Sequence, residues 1–299
     1  MKWRHIMIKK LLLTFGLLLA TITTSFAEEL VVGSRPGGAG NFTFAAVQPT
    51  LKQYGYDNPI QYLGNCRKGK ARHEAAPAND MYWVNNAYHS IPGCGVEITE
   101  NNLVDAVAKS STSVCYRSDK PGLGLADLMS GDKPRSIAVP MMWKSFVTAL
   151  MGEFSTTAKR NVVNVGNSKS VAQTLLGNDF DYIVHYSKWA ATNLDKVTCV
   201  INTGNAASAS HFKNVATMAE VAPNFAIKEF YDVWFIVTNP MSKEDLQNMR
   251  MWFKEARAQE HFKRNFKAKA LEIIDVSFEE ALKIADAAVS SIKMFEKNK

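Results

Sequence analysis

Val31-Val32-Gly33-Ser34-Arg35-Pro36-Gly37-Gly38-Ala39-Gly40-Asn41 reads as a strand, a glycine-rich turn and the start of a helix. Glycines let the backbone approach a ligand closely, and the helix start offers N–H groups without acceptors. Such a turn suits an anion, because the helix dipole favours negative charge there. It lacks the Gly-Lys-Ser/Thr of a phosphate loop and the Gly-x-Gly-x-x-Gly of a dinucleotide fold. A plain strand-to-helix turn is the competing reading. Asn41 is the expected N-cap of a helix running to about Tyr54.

Downstream, strand and helix signals alternate. Strands are expected at Met81–Val84, Ser113–Tyr116, Ser136–Val139, Asn161–Val165, Phe180–Val184, Val197–Ile201 and Phe235–Thr238. Helices are expected near Leu125–Met129, Ser145–Phe154, Ser168–Leu176, Lys243–Glu260 and Ser277–Phe295, the last opened by a Ser277-x-x-Glu280 capping box. Alternation of this kind predicts an α/β protein with mostly parallel sheets, whose ligands sit at the carboxyl ends of strands. No Pro/Gly/Ser-rich linker divides the chain, so two domains would be joined by more than one short crossing.

Upstream, a basic start (Lys2, Arg4, Lys9, Lys10) precedes an apolar run over Leu11–Ala20, and Ser25-Phe26-Ala27 supplies small residues at −3 and −1. These parts make a secretory signal cut after Ala27. The apolar run is shorter than the ~20 residues of a membrane-spanning helix. Removal of residues 1–27 takes away four basic and no acidic residues, lowering the formal net charge from +7 to +3. A nucleic-acid partner is therefore not expected, since it needs a concentrated basic face.

Export into an oxidising compartment permits disulfides among Cys66, Cys94, Cys115 and Cys199. Cys66 and Cys94 lie in glycine-containing loop sequence and are the favoured pair. Cys115 and Cys199 read as strand residues, either bridged or buried as free thiols. No Cys-x-x-Cys is present, and the six histidines show no metal-ligand spacing, so neither metal nor cofactor is expected.

Three blocks carry a further resemblance. Leu30–Gly55 contains Pro36-Gly37-Gly38 and a helix with Pro49. Val163–Asp181 contains Ser168, Leu175-Leu176-Gly177 and Phe180-Asp181-Tyr182, and Val215–Val221 leads to Phe225. In this order they resemble the substrate receptors of tripartite tricarboxylate transporters. The resemblance implies a fold like that of type II periplasmic binding proteins: two lobes, each a mainly parallel sheet flanked by helices, with a two-strand hinge. Lobe one would hold 28–107 and 228–299, and lobe two 108–227. It further implies a periplasmic monomer that passes a small organic anion to a permease of one large and one small membrane subunit.

The resemblance places ligand contacts at Pro36, Gly37, Gly38 and Asn41, at Asn85, Asn86 and Ala87, and in lobe two at Ser145, Ser168, His185 and Tyr186. Capping Ser and Asn, turn-forming Asn85 and Asn86, and a core His185 are the plainer readings. Asn41 stands where the family has Asp, which removes a negative charge. His185 likewise replaces an acidic residue. A basic run, Cys66–His73, replaces a glycine-rich loop and reads as a solvated face. Trp143 and Lys144 offer either an aromatic wall and a cation for the cleft, or core packing and solvent. Arg35 is either a carboxylate partner or an exposed rim residue.

A secreted enzyme on the same scaffold is the rival class, but there is no Gly-x-Ser-x-Gly or His-Glu-x-x-His. A ligand sensor for a membrane kinase is the third.

Overall fold

The computed structural model describes residues 29–76, 79–154, 158–268 and 271–296. The expected signal segment, 1–27, lies outside the described residues.

Strands β1 (Leu30–Val32), β2 (Ile60–Tyr62) and β3 (Met81–Asn85) pair in parallel in the order β2-β1-β3. The helices Ala39–Gln53 and Cys66–Glu74 form the crossovers. All three residues of β1 and all five of β3 are buried. This is why both segments read as continuous apolar runs rather than alternating ones. Strand β10 (Tyr231–Thr238) then lies antiparallel between β3 and β4 (Leu103–Arg117).

Strand β4 serves two sheets. Its first part, to Ser111, pairs with β10, while Thr112 onward pairs with β7 (Tyr182–Tyr186) and β8 (Val197–Asn202). In the second sheet β5 (Arg135–Val139) runs parallel to both β6 (Arg160–Asn164) and β7, and the short β9 (Ala216–Thr217) runs parallel to β8. Where β4 changes sheets its sequence is Ser110-Ser111-Thr112-Ser113, all buried. These hydroxyls take up polar groups at the crossing. The Thr112 N–H donates to Thr203 Oγ1 at 2.9 Å, and Ser111 and Ser113 both meet Ser187 Oγ at 2.9 Å. Such satisfaction is what makes a buried polar run tolerable. The expected strand Ser113–Tyr116 is thus only the end of a 15-residue one.

Separate cores back the two sheets. One packs Leu30, Val31, Phe44, Leu51, Phe235 and Phe253, and another packs Trp143, Phe146, Leu150 and Tyr182. The last helix, Phe278–Glu296, reaches both: Ala281 and Ala285 join the first core, and Ile292 and Phe295 the second. The Ser277 hydroxyl caps it, accepting from the Glu280 N–H.

Four local readings are corrected. Cys66–Glu74 is a helix rather than a basic loop, capped by Asn65, whose side chain accepts from the Lys68 N–H. Its basic face is partly paired, since Arg72 reaches Glu29 at 2.6 Å and Asp80 at 2.9 Å. The helix expected over 243–260 ends at Ala258; Gln259 is extended, and a second helix, Glu260–Ala268, buries Phe262 and Phe266. β2 is an unforeseen strand, since Ile60-Gln61-Tyr62 is only half-buried and its glutamine breaks any apolar run. Asn41 is not an N-cap, because the first helix starts two residues earlier, behind Gly38.

Both cysteine pairs are disulfides. Cys66–Cys94 ties the second helix to the loop after Asn86–Ser90, and Cys115–Cys199 joins facing positions of β4 and β8. The second bridge resolves the choice left open between a bridge and buried thiols. Among the described residues no helix is long and apolar enough to cross a membrane.

Candidate ligand-binding site

The turn after β1 is shaped by its glycines. Gly37 has φ +84°, a left-handed conformation in which side chains other than glycine's are strained. Gly40 lies against the sheet, and a Cβ there would come within 2.7 Å of Val32 Cγ1 and 3.1 Å of the Trp83 ring. Asn41 pins the turn, its Oδ1 accepting from the Gly37 N–H at 2.9 Å. Gly38, the N-cap, brings no side-chain acceptor, and the first turn holds no acidic residue. The positive end of a 15-residue helix is therefore uncapped by any side chain.

A cavity of about 500 Å³ opens at this helix start. From the first sheet's side come Gly37, Gly38, Asn41 and Phe42, with Ser110 of β4 and Trp234 of β10. Tyr186, at the end of β7, and Lys188, Trp189 and Thr192 just beyond it come from the second sheet. Ala39, Ala45 and Leu271 complete the wall. The cavity thus lies between the two sheets, at strand ends and helix starts, as expected for an open α/β fold.

Beneath it sits a buried acid. Asp232 is fully buried and accepts from Asn85 Nδ2 at 2.7 Å, Trp234 Nε1 at 2.7 Å and the Tyr186 hydroxyl at 3.1 Å. Burial pushes its carboxyl from 3.8 up to about 7, against the pull of these three donors. The same burial, with Asp232 beside it, drives the Tyr186 hydroxyl well above its ordinary range, so it stays a donor.

The structure brings only some of the sequence-predicted residues together. Gly37, Gly38, Asn41 and Tyr186 line the cavity. Pro36 and Arg35 are exposed in the same turn. Asn85 and Asn86 are buried and fix backbone: Asn85 Oδ1 accepts from the Tyr88 N–H, and Asn86 bridges the Tyr231 carbonyl and the Val233 N–H. Ala87 packs in the second core. Trp143 is fully buried with its ring edge-on to Tyr186 at 4.7 Å. Lys144 and Ser145 line a different cavity, with Ser90 and Pro92.

His185 is held inside. Its Nε2 donates to the Ser168 carbonyl at 2.9 Å, and burial drives its pKa down to about 4, so it is a neutral ring. Ser168 is the first residue of its helix; the cap is Asn167, whose side chain accepts from the Ser170 N–H.

Lys188 and Trp189 escaped the sequence reading. Their signal was their place directly after His185-Tyr186 at a strand's carboxyl end. Trp234 carried none, being one apolar residue in an apolar strand. Among the described residues no group of three metal-ligating side chains converges.

Two sheets sharing one long strand, with a cavity between them, are the bilobed fold of periplasmic solute-binding proteins. Solved structures similar to this chain include BugD, at TM-score 0.68 and 14% identity over 90% of this chain and 96% of that one. MatC from Rhodopseudomonas palustris, solved with malate, gives 0.67 and 13% over 91% and 98%. A second R. palustris protein, solved with adipate, gives 0.72 and 14% over 92% and 97%. The likeness establishes the fold, which is that of the tripartite tricarboxylate receptor proteins. No protein-family model and no curated protein matches the chain in sequence.

Proposed function

We propose that this chain is a periplasmic receptor that captures a small organic anion, a carboxylate, for a tripartite tricarboxylate-type transporter. The carrying observation is the cavity itself. It places the uncapped start of the Ala39–Gln53 helix and the ammonium-bearing Lys188 on one space between two sheets. A helix N-terminus and a lysine both favour negative charge, and a space between lobes can close over what it binds. The lobes proposed are 28–107 with 228–299, and 108–227, hinged where β4 changes sheets. Similar folds were solved holding malate and adipate, which supports a carboxylate here. On this reading the chain binds without chemistry, is exported by its N-terminal signal, acts as a monomer and hands its ligand to the membrane subunits.

Thermal-shift screening of the purified protein against mono-, di- and tricarboxylates, amino acids, sugars and cations tests this. Stabilisation by one class of carboxylate is expected, because a ligand bound only by the folded state raises the melting temperature. Stabilisation by sugars or cations, with no response to any carboxylate, contradicts it.

A further inference from the structure

The cleft walls are aromatic. Phe42 and Trp234 face the cavity from the first sheet's side, and Tyr186 and Trp189 from the second's. Each ring is braced by another. Phe266 lies 4.9 Å from Phe42 and 6.4 Å from Trp234, Trp143 is 4.7 Å from Tyr186, and His185 is 4.4 Å from Trp189. Rings fixed before binding lose little freedom on binding, which favours a flat, rigid partner.

The polar handles of two of these rings are already used. The Tyr186 hydroxyl and the Trp234 indole N–H both donate to Asp232 Oδ2, at 3.1 and 2.7 Å. These side chains therefore offer a ligand carbon surface rather than hydrogen bonds. A ligand rich in hydroxyls would lose water there without replacement, which is costly. Lys188 is the one cationic side chain among the described residues lining the cavity, and the glycine turn supplies one helix start. The charge provision suits one carboxylate, not two or three.

We propose that the ligand is an aromatic monocarboxylate, its ring held among Phe42, Tyr186, Trp189 and Trp234 and its carboxylate at Lys188 and the Gly38–Asn41 helix start. This deepens the anion-receptor reading and rests on it. Aromatic pairing adds stabilisation beyond the area buried, and that excess is absent for an aliphatic chain.

Calorimetric titration of the purified protein with phenylacetate, 3-phenylpropionate, cyclohexylacetate, adipate and malate is the test. A phenyl acid is expected to bind about tenfold tighter than cyclohexylacetate, and more so than adipate or malate. Trp189→Leu, or Phe42→Leu should the first variant not fold, is expected to weaken that binding about tenfold. If adipate or malate binds more tightly than either phenyl acid, the aromatic inference fails while the anion-receptor reading stands. It fails also if phenyl acids bind best but neither variant alters their affinity. If no carboxylate binds, the receptor reading itself fails.

Discussion

The Tyr186 hydroxyl donates to Asp232 Oδ2 at 3.1 Å, linking the end of β7 in one sheet to a buried acid of β10 in the other. With Trp234 and Asn85 on the same carboxyl, Asp232 sets the position of two cleft rings from below. Asp232→Asn keeps the shape but places an amide N–H₂ against donors. Leaving a buried donor unmatched costs about 1–3 kcal/mol. A lower melting temperature at pH 4–5, where wild-type Asp232 is protonated, is the expected result.

That cost should shrink as pH rises. The folded-state pKa of Asp232 is raised from 3.8 to about 7, so the folded protein holds its proton more tightly than the unfolded chain. Its favourable contribution is complete below about pH 4, and it is lost as pH climbs through about 7. Each unit of elevation corresponds to about 1.4 kcal/mol. Urea unfolding of both proteins from pH 4 to 8 should therefore show the wild type losing its advantage over Asp232→Asn. A difference independent of pH would mean that Asp232 is ionised throughout.

The two disulfides close loops of different size. Cys66–Cys94 spans 28 residues and Cys115–Cys199 spans 84. In the chain-entropy relation these correspond to about 3.6 and about 4.6 kcal/mol. Paired Cys→Ser variants should show the larger loss for Cys115 and Cys199, measured by urea unfolding under oxidising conditions.

Gly40→Ala tests the packing of the first helix. The new methyl would meet Val32 Cγ1 at 2.7 Å, and the sheet beneath is fully buried. Overpacking of this kind costs about 1–3 kcal/mol. The helix start should shift with it, so carboxylate affinity and stability should fall together.

Strand and helix order was legible because buried parallel strands leave unbroken apolar runs, as in Leu30–Val32 and Met81–Val84. The extent of β4 was not, because Lys109–Thr112 is polar and breaks the apolar run ahead of the expected strand at Ser113; only the tertiary partners Ser187, Asn202 and Thr203 explain its burial. The glycine turn and Tyr186 announced themselves by position. Of the two readings open for Trp143 and Lys144, core packing holds for Trp143, while Lys144 lies on another cavity. Trp189 and Lys188, one turn beyond β7, line the cleft instead. Whether a tryptophan faces a core or a cleft depends on which sheet edge packs behind it, and a sequence does not display that.

Lys188→Met should weaken carboxylate binding by about tenfold or more, read by calorimetric titration. Titration at increasing salt should narrow the gap between the two proteins, since screening weakens a partly exposed charge.

Trp189 and Trp234 both line the cavity, so occupancy of that space must alter their surroundings. The most direct measurement is tryptophan emission during titration with the best carboxylate from the thermal screen, run alongside calorimetry on the same samples. A saturable change in emission is expected, at the dissociation constant that calorimetry gives, and diminished in Trp189→Phe. Calorimetric binding with no change in emission would place the ligand elsewhere and contradict the assignment of this cleft.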